Sequence, residues 1–180
     1  MRITIAAIAV ISCLAPTAAF AQPAGGNPIR DTIRRQWQSA ERNIRESADL
    51  MEEANYSFKP VDTVRSFGAI LAHVAGANYV YCAAAKSEKA PHAEGEFEKT
   101  ATTKAAIVKA LTDSLAYCDQ VFAAATDAAL PEMTPAPFGT GQVPRASSLV
   151  GNIGHLNEHY GNLVTYFRIK GIVPPASRRQ

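Results

Sequence analysis

Histidine is scarce in this chain: 180 residues hold four, at positions 73, 92, 155 and 159. An excess of charge of one sign is also missing. Eighteen basic side chains stand against 16 acidic ones, interspersed, for a formal net charge of +2, so nothing electrostatic points to nucleic acid as a partner. No window alternates apolar and polar residues at period two, which argues against a sheet. There is no internal repeat. Long apolar runs are absent after the N-terminus, and no later segment reads as apolar for long enough to span a bilayer.

The one long apolar run, from Ile3 to Phe20, follows Arg2 and closes in Ala19-Phe20-Ala21. A basic start, an apolar stretch interrupted by Pro16 and an Ala-x-Ala end predict a secretory signal peptide over residues 1–21,. Val10-Ile11-Ser12-Cys13 weakly resembles a lipoprotein signal with Cys13 lipidated, but the Ala-x-Ala site is the better formed. Residues 22–180 are then expected to form one domain, periplasmic or secreted, with no membrane attachment after cleavage,.

What is present is helical periodicity. Asn27-Pro28 suits an N-cap followed by a first helical residue. Ile29, Ile33, Trp37, Ala40, Ile44, Ala48 and Met51 then recur at spacings of three and four, predicting an amphipathic helix over 28–53,. Tyr56 and Phe58 lie in a connector with Pro60 and are expected to pack down on the helices. Ser66 suits the cap of a second helix over 66–86, whose stripe is Phe67, Ile70, Val74, Ala77 and Tyr81, with His73 beside it. The polar linker 88–99 holds His92, read as a solvated loop residue,. A third helix over 100–126 carries Ile107 or Val108, Leu111, Leu115, Cys118 and Phe122. Residues 131–144 contain four prolines and two glycines, too broken for helix or strand,. A fourth helix over 146–170 ends before Gly171 and Pro174-Pro175,. Four long amphipathic helices without strands predict an all-α four-helix bundle.

His155 and His159 stand in the segment Asn152-Ile153-Gly154-His155-Leu156-Asn157-Glu158-His159-Tyr160-Gly161-Asn162. At four residues apart on a helix they share a face and can chelate one ion. Leu149, Ile153, Leu156, Tyr160, Leu163 and Phe167 fall on one arc, while Asn152, His155, His159, Asn162 and Tyr166 fall on the adjoining arc,. The pair therefore flanks the packed face. His73 is the one other histidine on a helix and the candidate third ligand, although a single helix histidine is commonly a hydrogen-bonded core residue. Three neutral imidazoles leave a coordination position for water or substrate, the layout of a reactive site. An all-nitrogen donor set favours zinc or nickel over magnesium or calcium. Gly151, Gly154 and Gly161 on this helix predict close helix approach, or room for a ligand.

Ser66-Phe67-Gly68-Ala69-Ile70-Leu71-Ala72-His73-Val74-Ala75, followed by Gly154-His155-x-x-x-His159-x-Gly161, resembles the DinB/YfiT-like family of metal-dependent proteins. The resemblance runs from about Pro28 to Pro175, including Tyr56-Ser57-Phe58-Lys59-Pro60. It implies a bundle in up-down-down-up order, with a long crossover between the second and third helices. It also implies a divalent metal, zinc or nickel, held by one histidine of the second helix and two of the fourth, which map to His73, His155 and His159. Some relatives transfer low-molecular-weight thiols or hydrolyse small molecules. An export leader sets this chain apart from the cytoplasmic thiol-transferring members. Cys82 and Cys118 remain after the leader, in an oxidising compartment,. Parallel second and third helices would bring them to similar height, so a disulfide fits the down-down order; two buried free thiols are the alternative.

The function expected on these grounds is a metal-dependent hydrolase or transferase acting on a small molecule. The loop 131–144 with Phe138 would cover the site, and Arg145 would be free to meet an anionic group. The alternative is a non-catalytic periplasmic protein that binds metal or a small ligand. His155-Leu156-Asn157-Glu158-His159 also spells the His-x-x-Glu-His of inverted zinc peptidases, with Glu158 as base. On the helix wheel, however, Glu158 points away from the packed face. Asn78, Asn152, Asn162 and Tyr166 are placed to orient water or substrate, and a homodimer is compatible with all of this.

Overall fold

The computed structural model describes residues 26–179. The leader and Cys13 lie outside the described residues. The helices are α1 (Pro28–Leu50), α2 (Phe67–Lys86), α3 (Glu96–Thr100), α4 (Lys104–Ala124) and α5 (Arg145–Ile169). Between α4 and α5 a small antiparallel hairpin pairs β1 (Met133–Pro135) with β2 (Gln142–Pro144), Thr134 opposite Val143.

The four long helices form the expected bundle, and cross-helix contacts set its order. Trp37 Nε1 of α1 donates to Asp119 Oδ1 of α4 at 2.7 Å, while Lys104 Nζ, at the other end of α4, donates to Met51 O at 2.7 Å; α1 and α4 are antiparallel. Cys82 and Cys118, each near the C-terminal end of its helix, are joined in a disulfide with Cα atoms 5.5 Å apart. So α2 and α4 are parallel, and α5 runs antiparallel to both. The result is up-down-down-up.

Burial follows the apolar stripes. Trp37 stacks on Phe122 with centroids 4.3 Å apart, and Phe67 meets Phe167 edge to face at 5.4 Å. Ile29 is the exception on α1, being exposed. Burying one large aromatic or aliphatic side chain contributes about 1.5–3 kcal/mol, so these contacts, together with Ile44, Leu71, Leu111, Leu115, Leu156 and Leu163, fix the bundle.

α2 differs from the other three. Nearly every residue from Phe67 to Ala85 is buried, as expected for a helix apolar on all sides. The expectation that no segment after the leader is apolar for long enough to span a bilayer fails for α2. By length and composition this helix is apolar enough to cross a membrane, with mean hydropathy 1.3, but 83% of that window is buried inside the protein. It is the central helix of the bundle. Its polar residues His73 and Asn78 are buried with it.

Ser66 caps α2 as expected, accepting from Ala69 N at 3.3 Å. The linker 88–99 is not uniformly loop, since Glu96–Thr100 forms the short helix α3. α4 starts later than residue 100 because Thr103, in extended conformation, accepts from Ala106 N and sets the boundary. The segment 131–144 does form strands. Its prolines Pro135 and Pro144 sit at strand ends, and Gly139 and Gly141 take positive φ in the turn, so the breakers shape a hairpin rather than prevent one. α5 stops at Gly171, whose φ of 71° favours glycine,.

Candidate metal centre

His73 comes from the first half of α2, and His155 and His159 from one face of α5, the two helices lying side by side. Their Nε2 atoms converge. His73 and His159 approach His155 with Nε2···Nε2 distances of 3.1 and 3.0 Å, and ligand atoms of all three lie within 4.8 Å of one another. His73 and His159 are buried and His155 is half-buried.

Hydrogen bonding alone does not account for this cluster. A neutral imidazole Nε2 has one in-plane position, holding either a proton or a lone pair, yet His155 Nε2 has two nitrogen neighbours at bonding distance. His73 Nδ1 lies 3.0 Å from Glu98 Oε1. A carboxylate only accepts, so Nδ1 carries the proton and Nε2 presents a lone pair to the cluster. Burial, then the neighbouring histidines and Arg65, pushes His155 down to about 3; burial and His73 push His159 down to about 4. Both are thus neutral at neutral pH. Three neutral imidazoles whose Nε2 atoms converge offer the donor set that a divalent ion requires,. Metal–nitrogen bonds of about 2.0–2.1 Å imply nitrogens roughly 2.9–3.4 Å apart, from right-angled to tetrahedral geometry. The donor set fits an ion of the zinc class.

The surroundings come from the crossover between α2 and α4. Glu98 on α3 holds His73 and also accepts from Arg65 Nε at 2.9 Å. A carboxylate behind a ligating histidine fixes its tautomer and raises its basicity. Glu94 Oε1 approaches from the other side, 3.7 Å from His73 Nε2, with its side chain 43% exposed. Gly76, one turn after His73, lets this segment sit directly on α2. A Cβ there would fall 1.9 Å from Glu94 O. Tyr81 rests on His155 with centroids 5.7 Å apart and is covered edge-on by Phe138 of the hairpin loop at 5.0 Å. Gly151 makes room for that ring, a Cβ there lying 3.0 Å from Tyr81 Cε1.

Beside His159 opens a groove of about 760 Å³, between α5 and the connector before α2, with Val64, Arg65, Ile70, Asn162 and Tyr166 in its walls. Tyr166 OH donates to Arg65 O at 2.5 Å and holds the connector against α5.

The sequence-predicted residues sort as follows. His73, His155 and His159 come together. His92 is not a free loop residue: it is half-buried, lies 2.8 Å from Glu96 Oε1 through Nδ1, and packs on Tyr79 at 4.7 Å. Arg145 does not face the cluster; it pairs with Glu132 at 2.8 Å at the start of α5. Glu158 is exposed, as its wheel position indicates. Asn162 lies 3.5 Å from His159 Nδ1. Asn78 and Asn152 sit deeper, beside Ser114 and the disulfide sulfurs, so they support the core rather than orient substrate. Gly154 and Gly161 face open space, which removes the close-approach reading for both. Sequence reasoning missed Glu94, Glu98 and Arg65. Their signal was weak, because two acids in a polar linker look like solvent-facing charge until the crossover is folded back over His73.

An up-down-down-up bundle with three histidines gathered between its second and last long helices is a recognisable class of protein. The chain belongs to the DinB superfamily, which it matches over residues 36–163. Its fold is similar to that of a DinB-like protein from Bacillus cereus, at TM-score 0.68 and 16% identity, covering 81% of this chain and 95% of that one. A DinB-like protein from Bacillus subtilis gives TM-score 0.60 and 20% identity, with coverage of 78% and 92%. The mycothiol-dependent maleylpyruvate isomerase gives TM-score 0.62 and 15% identity, and the match covers 74% of this chain but 60% of the isomerase. Curated protein sequences give no match.

Proposed function

We propose that this protein is an exported metalloenzyme that binds zinc or nickel through His73, His155 and His159 and acts as a hydrolase or transferase on a small molecule. The convergence of three histidine Nε2 atoms beside an open groove carries the reading. When bound, the ion supplies Lewis acidity, enough to bring the pKa of a water or thiol toward neutrality. The residues do the rest. Glu98 keeps the proton of His73 on Nδ1. Glu94, partly exposed and 3.7 Å from His73 Nε2, is placed to accept a proton from a nucleophile or to complete the ligand set. Tyr81 and Phe138 shield the His155 side from water, leaving the groove beside His159 as the approach. The isomerase among its structural neighbours uses mycothiol, and that lends support to a thiol as one reactant.

The second reading, a non-catalytic binding protein, is favoured by one observation: Glu94 is the single carboxylate near the metal-facing side of the cluster among the described residues, and as a fourth ligand it would close the site. Elemental analysis of untagged protein, reloaded with zinc or nickel, tests the metal. Binding no better than that of the His73→Ala/His155→Ala/His159→Ala protein refutes both readings. Glu94→Gln separates them. Retained zinc with lost turnover on small esters, amides or thiol conjugates supports the enzyme, whereas weakened zinc and no turnover in wild type supports the binding protein.

A further inference from the structure

We propose that the groove beside the histidine cluster is a carboxylate-recognition site, with Arg65 as the residue that binds the anionic end of the substrate. This rests on the metal reading above and names its substrate class: a small molecule carrying a metal-seeking group, such as a thiol, and a carboxylate.

Arg65 is the only charged side chain lining the groove among the described residues, and His159 opens into the same space. The rest of the lining is apolar or neutral: Val64, Ile70, Asn162 and Tyr166 are representative. A single cation in a neutral wall selects for one anionic group rather than for general polarity. Arg65 is also held ready. Its backbone carbonyl accepts from Tyr166 OH at 2.5 Å, and its Nε donates to Glu98 Oε2 at 2.9 Å. Only Nε has a side-chain partner among the described residues, so the guanidinium keeps donors for an incoming carboxylate. Its side chain is 46% exposed. Such a fork is the preferred partner of planar anions. Glu98 accepts from Arg65 and His73 at once, so a carboxylate arriving at Arg65 is sensed one hydrogen bond away from a ligating imidazole.

The test uses zinc-loaded, full-length protein and three mercapto acids, mercaptoacetate, 3-mercaptopropionate and 4-mercaptobutyrate, each against its amide, by titration calorimetry. Acid and amide carry the same thiol and reducing power, so any effect on the buried disulfide cancels in the comparison. Zinc content is measured first, because wild type that holds no zinc refutes the metal reading itself. With zinc in place, one acid is expected to bind roughly tenfold to a hundredfold tighter than its amide, the range for a hydrogen bond to a charged group. Arg65→Gln should abolish that preference, and Arg65→Lys should restore part of it. Equal binding of acid and amide at all three lengths in wild type overturns the proposal while leaving the metal reading intact. So does a preference that survives in Arg65→Gln. If that variant releases zinc, the wild-type comparison and Arg65→Lys decide.

Discussion

Replacing Gly76 by alanine should damage the proposed metal centre without touching any of its three histidines. The added Cβ would lie 1.9 Å from Glu94 O and 2.9 Å from Ala93 O, both backbone atoms of the crossover. Backbone cannot swing aside as a side-chain tip can. Relief to an ordinary contact of 3.4 Å requires the segment to lift by about 1.5 Å from the 1.9 Å approach, and Glu94 and Glu98 travel with it. The 3.0 Å contact between His73 Nδ1 and Glu98 then passes beyond hydrogen-bonding distance. Overpacking of this kind costs about 1–3 kcal/mol, and in a domain of this size each kcal/mol lowers Tm by roughly 2–4 °C. Loss of the carboxylate behind a ligating histidine weakens metal by roughly tenfold to a hundredfold. Differential scanning calorimetry and zinc competition titration read the two effects separately. Gly154→Ala is the control: its Cβ meets nothing within 4 Å, on the same helix as His155 and His159, and it should raise stability by up to about 1 kcal/mol. If Gly76→Ala leaves both Tm and zinc affinity unchanged, the crossover does not rest on α2 as described.

Glu98→Gln keeps the size of the side chain but removes its charge, so zinc should bind roughly tenfold to a hundredfold more weakly while the bundle melts near the wild-type temperature; equal affinity would mean that Glu98 does not position His73. Breaking the Cys82–Cys118 bridge, which spans 36 residues, should cost about 4 kcal/mol by the loop-entropy relation. Cys82→Ala/Cys118→Ala should therefore melt well below wild type without reductant, and a match between the two would show that the bridge does not form in solution. Metal-free protein should lose stability as pH falls from about 6.5 toward 4. His155 and His159 are held at about 3 and about 4 in the fold, so in this window the unfolded chain binds more protons and acid favours unfolding. The measurement is Tm against pH for wild type and for His155→Gln/His159→Gln, and identical slopes would refute the assignment of that acid sensitivity to these histidines.

The bundle was legible because it rests on local signals. Three-four spacing of Trp37, Ala40, Ile44 and Ala48, the Ser66 cap and the Gly171 stop each act within a turn or two of chain. The three histidines were legible because His155 and His159 share a helix face by arithmetic. What escaped was set by tertiary contact. The hairpin at 133–144 depends on two three-residue strands with too few residues for a period to show. His92 looks solvated in sequence, yet Tyr79 of α2 packs on it, beside Phe97 of the crossover itself. Arg65, Glu94 and Glu98 stand at 8 to 25 residues from His73 in sequence, and no periodicity relates them to it.

One topological fact ties these misses together. Parallel neighbours α2 and α4 cannot be joined by a tight turn, because the chain leaving the end of one must travel back to the start of the other. In this protein the return path passes over His73, and Gly76 keeps it in contact with α2. The segment that closes the topology is therefore also the one that supplies Glu94 and Glu98 to the cluster. The same parallel pairing puts Cys82 level with Cys118, and Asn152 of α5 reaches both sulfurs at 3.5 Å, one turn before His155. The disulfide joins α2 to α4 beyond His73 while the crossover lies over the first half of α2, so the cluster sits between two constraints. Replacing both cysteines should thus lower Tm without lowering zinc affinity, whereas Gly76→Ala lowers both. If cysteine removal weakened zinc as strongly as Gly76→Ala does, the two constraints would act as one, and the crossover would not be the separate clamp on His73 that the geometry describes.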